Sequence, residues 1–510
     1  MSVQLLHSHN IRYADSAPSQ PPRSSSFLLG PLDSLVTPTI PIAILFVYTK
    51  PAHHASSSFM PLQRIKQALS IVLASYPHLT GRLELHPQTG VRSITDLNKG
   101  ANLLEANCSE LLDEWIVKHP PGTSARDPSR TISKTLFAPF QPTLGYVCNH
   151  AVLTIQHTTF ACGGVSLGFR WLHTLCDAQG SIQFVQDFAR VYRERGEEFE
   201  RGPCIESFMS SLGSFEKDER KMLLDFKPEK YHIDQPTSAE TEPTSPKNDN
   251  SDNSDEAPDE TSDPVVGRFI HFTATLLLKI KATATDPTSK SWISTFDALS
   301  AHLLQRVYLS RTSASQRRAE DNPSTAPLPN FLTPLNLRSR LGEALLPPRY
   351  FGNALQSGYT DLDLLLLATP NSLSELARQI HSLTDTTLNT SFIRSTLRTL
   401  SWIALQPNKL LIRDEFEYRP GGTLMLSHWG KFDVYNPHEF GFERGGVGPS
   451  RVMTPFTETS LVDGLGYLLP VSPGIEGRGL ELALALQKST WDVLDLDPVW
   501  GKFVANQFVQ

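Results

Sequence analysis

His173 and Asp177 stand four residues apart in the stretch WLHTLCDAQG, where an alternating apolar run gives way to a helical pattern. A neutral imidazole near physiological pH can take a proton from a hydroxyl or amine and return it to a leaving group, and a nearby carboxylate can support such a base. The same two residue types can contribute to a metal site, but that needs a third ligand, and no HExxH, paired cysteines or acidic cluster lies close by. The third role is structural: a histidine satisfied on the apolar face at a strand's end, followed by an aspartate that only caps the next helix. Spacing alone leaves all three open. A serine triad would need its nucleophile on a GxSxG elbow, and no GxSxG elbow is expected anywhere in the chain. Cys176, set between His173 and Asp177, is expected to point into packing rather than to act as an activated thiolate.

The elements that must position this pair are legible as periodicities. Ala151 to Phe160 alternates and ends in threonines, as a strand does. After Gly163 and Gly164, the residues Val165, Leu167, Phe169, Trp171 and His173 fall on one face of a second period-two run. From Ser181 onward, Ile182, Val185, Phe188 and Tyr192 keep helical spacing up to Gly196. Upstream, Leu62, Ile65, Leu69, Val72 and Tyr76 mark a helix with one buried face that Pro77 ends. Later, Phe296, Leu299, Leu303 and Val307 mark a helix that Ser294 or Thr295 caps, Arg311 to Pro327 reads as a long surface loop, and Leu480, Leu482, Leu484 and Leu486 alternate as a strand. Strands and helices mix in both halves, which predicts two α/β layered domains with the active site between them.

The division between the halves is compositional. Residues 233–264 are acidic and rich in Pro and Ser, too poor in apolar surface to offset their chain entropy, and are expected to be a disordered linker insertion. Residues 1–232 and 265–510 then form the two domains. The chain of 510 residues carries 46 Lys and Arg against 53 Asp and Glu, a net charge of −7 without a cationic cluster, so nucleic acid is not an expected partner. Five cysteines lie far apart with no CxxC spacing, which fits a reducing, cytoplasmic setting and argues against a disulfide framework or a zinc site. The N-terminus lacks the pattern of a secretory signal, and the apolar run Leu35 to Tyr48 is too short to span a bilayer and is broken by Pro38 and Pro41. A soluble monomer with no membrane span and no permanently bound metal or cofactor is expected.

WLHTLCDAQG resembles the HxxxD signature of the BAHD acyltransferases, enzymes that move an acyl group from a coenzyme A thioester to an alcohol or amine. Further segments resemble that family in its own order: LLGPLDSLV near residue 30, LQRIKQALSIVLASYPHLTGRLE from Leu62, WISTFDALSAHLLQRV from Trp292, NLRSRL from Asn336, YFGNAL from Tyr350 and LSHWGKFDVYNPHEFGFERG from Leu426. One motif departs from the pattern. Where the family reads DFGWG, this chain has Glu439, Phe440, Gly441, Phe442 and Glu443, which marks a divergent, fungal-type branch. The fold implied is the two-domain, chloramphenicol acetyltransferase-like α/β type. A condensation domain fits less well, because Leu172 stands where that fold's HHxxxDG signature has its first histidine.

The resemblance also implies roles. His173 becomes the general base, and Asp177 turns from the substrate to pair with Arg338 and so holds the loop that aims the imidazole. Ser427, two places before Trp429, is implied as a donor to the tetrahedral oxyanion, with Trp429 beside it and His428 pointing away from the site. Asn353 and Gly441 are implied as structural supports, and Lys290, Ser294 and Thr295 as the lining of the coenzyme A channel, with a cap at Ser294 or Thr295 and a solvated Lys290 equally open. The expected reaction is O-acylation of a hydroxylated small molecule of specialised metabolism, with acyl-CoA as co-substrate. N-acylation of a polyamine or aromatic amine and a non-catalytic, ligand-binding relative are the alternatives.

Overall fold

The computed structural model describes residues 2–13, 26–52, 59–87, 90–114, 134–194, 202–206, 217–229, 231–233, 263–288, 292–319, 328–343, 346–369, 371–385, 390–405, 410–412, 418–436, 438–441, 446–473 and 478–504. The acidic insertion lies outside the described residues from 234 to 262, as do Lys290, Phe442 and Glu443.

Two mixed sheets of six strands carry the chain. The first half supplies β1 (Val3–Ile11), β2 (Pro41–Tyr48), β3 (Ala101–Cys108), β4 (Leu153–Phe160) and β5 (Val165–Leu172). The second half supplies β6 (Val265–Thr273), β7 (Asn330–Asn336), β8 (Leu355–Asp361), β9 (Thr423–His428), β10 (Arg451–Met453), β11 (Leu465–Pro470) and β12 (Gly479–Gln487). The strand orders are β1-β3-β4-β5-β2-β10 and β6-β12-β11-β9-β7-β8. Within them β3 runs parallel to β4, and β9 parallel to both β7 and β11.

Alternation along each strand decides what each face meets. On β2, Ile42, Ile44, Phe46 and Tyr48 enter one core with helices α1 (Leu62–Ser75) and α2 (Ala178–Glu194), while Leu45 and Val47 turn the other way. Helix α1 buries Ile65, Ala68, Leu69, Val72 and Leu73, and stops at Tyr76 because Pro77 lacks an N–H and disfavours helical backbone before it. On the outer face of the second sheet, Leu480, Leu482, Leu484 and Leu486 of β12 meet helices α3 (Ala274–Ala284), α4 (Thr295–Ala319), α5 (Leu373–Asp385) and α6 (Lys488–Leu494). The remaining faces meet each other: Leu45, Val47 and Ala106 pack with Phe269, Ala483 and Ala485, and the alanines let the sheets approach.

The loop expected from Arg311 is helical as far as Ala319. Arg311 is buried, its Nη2 2.7 Å from Asp463 Oδ2 and its Nη1 donating to Thr423 O at 2.9 Å. The polar composition concealed a cation that is paired inside the protein instead of solvated.

The halves exchange chain. β10, from the second half, pairs antiparallel with β2, matching Val452 to Phe46. In return, Tyr231–Ile233 pairs with Leu410–Ile412, and Cys204 exchanges backbone hydrogen bonds with Arg349 and Phe351. His173 follows the end of β5 at this seam.

Candidate active site

His173 is half-buried one residue past β5, and its main chain is held from both halves. Its N–H donates to Ile40 O at 2.9 Å, and its carbonyl accepts from Asn353 Nδ2 at 2.9 Å. Burial, the largest influence, lowers the imidazole pKa below its usual value, opposed by the His173 backbone, Asp177, Asn353 and the Cys176 backbone. The ring is therefore neutral near pH 7, as a base must be.

Asp177, 1% exposed, faces away from open space. Arg338 grips it with a two-pronged fork, Nη1 to Oδ2 at 2.7 Å and Nη2 to Oδ1 at 3.0 Å. Gly180 N donates to Oδ1 at 3.1 Å and Ala354 N to Oδ2 at 2.9 Å. The carboxylate is thus at once a helix cap, the structural role that spacing had left open, and half of the ion pair with Arg338 that the family resemblance implied. Helix α2 accordingly begins at Ala178, three residues before its apolar pattern becomes visible.

Arg338 also donates through Nη2 to Tyr350 O at 3.1 Å and to Gly352 O at 2.8 Å, so the loop 349–354 hangs from it. That loop lies against the start of α2. A Cβ on Gly180 would sit 2.0 Å from Phe351 O, so only glycine fits there. Asn353 is fully buried, and its Nδ2 donates both to the His173 carbonyl and to Asp33 Oδ1, each at 2.9 Å.

Ser427 and Trp429, at the end of β9, are joined to each other: the indole Nε1 donates to Ser427 Oγ at 2.9 Å. A hydroxyl that accepts the indole proton keeps its own O–H free to donate. Trp429 is 6% exposed and packs in the first-half core with Ile44, Ile182 and Leu469 around a small cavity, so packing is part of its role. His428 turns its ring onto Phe296, stacked at 4.9 Å and 9°.

Ser294 caps α4 in a reciprocal box, accepting from Asp297 N at 3.1 Å while its own N–H donates to Asp297 Oδ2 at 2.7 Å. Thr295 is the first helical residue. Asp297 also receives His381 Nδ1 at 2.9 Å, so this helix start already holds a carboxylate. Gly441 adopts φ +142°, and its carbonyl accepts from Met60 N and from Tyr192 Oη, while Phe440 is fully buried against Tyr48, Phe188 and Tyr192. The altered motif therefore anchors the second half on α2, far along the helix from Asp177.

Three further points were not read from the sequence. Asp33, in LLGPLDSLV, accepts from Gly30 N, Asn353 N and Asn353 Nδ2; the segment stood out in the sequence, but this residue did not. Tyr76 Oη donates to Asp187 Oδ2 at 2.6 Å, and Arg349, which also pairs with Asp187, gave no signal at all. Gly164-Val165-Ser166-Leu167-Gly168 has the GxSxG spelling of a nucleophile elbow, but Ser166 is buried within β5, with no strand-to-helix turn. Cys176 is buried beside Ser181 Oγ, and burial raises its thiol well above the usual value, which makes it inert packing. Among the described residues no cluster of His, Cys, Asp and Glu fits a metal ion, and no helix is long and apolar enough to cross a membrane.

Two α/β halves with a histidine loop at their seam define the architecture of the two-domain acyltransferases, and solved structures share it. TRI101 from F. graminearum, complexed with coenzyme A and T-2 mycotoxin, superposes with a TM-score of 0.68 at 18% identity, covering 94% of this chain and 98% of that one. Vinorine synthase superposes at 0.62 with 17% identity and 98% of each chain covered. The profile of the Transferase family matches residues 14–497, and the chain belongs to this family, the BAHD acyltransferases. Rosmarinate synthase of Plectranthus scutellarioides is 24% identical over 86% of this chain and 87% of its own length. Anthranilate N-benzoyltransferase protein 2 of Dianthus caryophyllus is 28% identical over 38% of this chain, and the match spans only 41% of that relative's length.

Proposed function

We propose that this protein transfers an acyl group from a coenzyme A thioester to a hydroxyl of a small specialised metabolite, with His173 as general base. The observation that carries the reading is the neutral imidazole at the seam, its backbone gripped by Ile40 from one half and Asn353 from the other, with Asp177 turned away into Arg338. In this reading His173 takes the acceptor's hydroxyl proton as its oxygen attacks the thioester carbon. The tetrahedral oxyanion meets the free O–H of Ser427, steadied by Trp429. Collapse breaks the C–S bond, and the thiolate recovers the proton from the imidazolium, leaving ester and free coenzyme A. No acyl-enzyme is formed, and no resident cofactor takes part. Ser294, Thr295 and Lys290 are proposed to border the coenzyme A channel, the first two at the mouth of α4. The protein is further read as a cytoplasmic monomer.

The likeness to anthranilate N-benzoyltransferases keeps an amine acceptor as the second reading. The test is to incubate purified protein with acetyl-, longer-chain and aromatic acyl-CoA and a panel of alcohols and amines, following free thiol and product mass. Acceptor-dependent thiol release that falls roughly 10²–10⁴-fold in His173→Ala supports the reading. Tight acceptor binding without thiol release from any donor overturns it in favour of a ligand-binding protein.

A further inference from the structure

Asn353 lies between a buried carboxylate and the backbone carbonyl of His173. Both Nδ2 hydrogens are spent, one on Asp33 Oδ1 and one on the His173 carbonyl, each at 2.9 Å. Asp33 Oδ1 also accepts Asn353 N at 3.1 Å, while its Oδ2 accepts Gly30 N at 2.9 Å. A carboxylate and a backbone carbonyl only accept, so Asp33 and the His173 carbonyl together hold the NH2 end of the Asn353 amide toward themselves and the Oδ1 end the other way. Two buried side-chain atoms of this group then have no hydrogen-bond partner among the described residues: Asn353 Oδ1 and His173 Nδ1. Burial is the largest influence on the imidazole and favours its neutral form; the His173 backbone, Asp177 and then the Asn353 side chain act the other way.

We infer that Asp33 is a positioning residue that acts through Asn353: it fixes the amide so that Asn353 Oδ1 receives the His173 Nδ1 proton, which leaves the lone pair of Nε2 for the substrate. The inference rests on the reading of His173 as base and adds what sets its tautomer. A neutral imidazole has one N–H, and the second ring nitrogen is basic only if the first holds the proton. Asp177 is committed to Arg338 and helix α2 and does not do this work. The charged and titratable neighbours of the array are Asp177 with Arg338, Cys176, and Arg92, whose Nη1 donates to Asp33 O and Thr174 Oγ1. Burial raises the Asp33 carboxyl to about 6 against the hydrogen bonds from Asn353 and Gly30, so it is ionised at pH 7.5.

Asp33→Asn keeps shape but sets a donor against Gly30 N or against the Asn353 amide, so that the His173 carbonyl alone is left to hold the amide's orientation. With the base mis-set, kcat is expected to fall roughly 10²-fold, the size of effect a small misplacement produces, with acceptor KM nearly unchanged. The acidic limb of the pH profile should move as well. The exchange Asp33→Asn with Asn353→Asp retains a 33–353 hydrogen bond and puts a carboxylate near the imidazole, but it removes the donor to the His173 carbonyl, so kcat should stay low while the acidic limb rises relative to Asp33→Asn.

The deciding readout needs no turnover: 15N shifts of histidine-labelled protein at pH 7.5, with His173 assigned by its loss in His173→Gln. Wild type should show His173 as the Nδ1–H tautomer and Asp33→Asn a shift toward Nε2–H. An Nε2–H tautomer in wild type, or an unchanged one in folded Asp33→Asn, overturns the inference. So does Asp33→Asn that melts lower but keeps kcat and pH profile. If the tautomer obeys Asp33 while no acceptor releases thiol, the positioning stands and the acylation reading fails.

Discussion

Replacing Asp177 by asparagine changes one atom and removes one charge, and the structure predicts a large cost. The carboxylate receives four hydrogen bonds: two from Arg338 and one each from Gly180 N and Ala354 N. Asparagine offers one acceptor oxygen and an NH2 that must face a donor, so the Arg338 fork loses one prong and a backbone N–H loses its partner. Arg338 lies largely buried, and an uncompensated buried cation costs about 3–5 kcal/mol. The orphaned N–H adds about 1–3 kcal/mol where the loop cannot relax. For halves of this size the Arg338 part alone lowers the melting temperature by about 10 °C. Thermal and urea melts of wild type, Asp177→Asn, Arg338→Met and the double variant measure both the single effects and the coupling. The double variant should lie well above the sum of the single losses, because no lone charge remains. Activity measured below the melting transition should also drop, since Arg338 holds the loop bearing Asn353. An Asp177→Asn protein that melts within a degree or two of wild type, with only its pH profile altered, would refute the assignment and return Asp177 to direct proton chemistry.

Four other outcomes follow from the geometry. Because burial lowers the His173 pKa, the acidic limb of kcat/KM should have its midpoint below the ordinary imidazole value; a midpoint above 7 contradicts the neutral-base argument. Ser427→Ala should lose roughly 10²–10³ in kcat, beyond the stability cost of about 1–3 kcal/mol that comes from orphaning the Trp429 N–H, and equal activity below the melting transition would remove Ser427 from the reaction. Gly180→Ala drives a methyl into Phe351 O, so a loss of about 1–3 kcal/mol in stability should accompany a lower rate, and a neutral effect in both would mean the loop yields freely. His438, buried against Phe46, has its imidazole pushed down to about 4, below its unfolded value, so it contributes stability above about pH 6.5 that is lost as the pH falls toward 4. The urea-midpoint gap between wild type and His438→Phe should narrow between pH 7 and pH 4, by an amount up to about 3 kcal/mol, and a constant gap would contradict this.

The sequence carried the elements better than their connections. Strand β5 and helix α2 were visible because each is one-face periodic over its length, and the helix ending at Tyr76 was visible because proline forbids its continuation. His173, Asp177 and Arg338 were legible through motif spelling, although nothing local to Arg338 says that its partner lies 161 residues away. The errors came where polarity and exposure part company. Arg311 looked solvated and is paired with Asp463 inside, and Asp33, which drew no attention within its segment, is a buried acceptor for Asn353. Asp187 and Arg349 were invisible for the same reason: a buried polar residue is justified by a partner that only the fold supplies.

The chain exchange makes the seam more than a line of contact. Trp429 and Phe440 come from the second half yet are buried in the core of the first, β10 closes the first sheet, and Cys204 bridges to Tyr350 in the other direction. Neither half can bury its apolar surface without segments of the other, so a core change in one is felt in both. His173 sits where this reciprocity is most concentrated, with Asp33 and Ile40 on one side and Arg338 and Asn353 on the other. A side chain held only by its own strand would tolerate slippage between the halves. One whose main chain is held from both keeps its place only when they are fully docked, so fold stability and the geometry of this loop fail together.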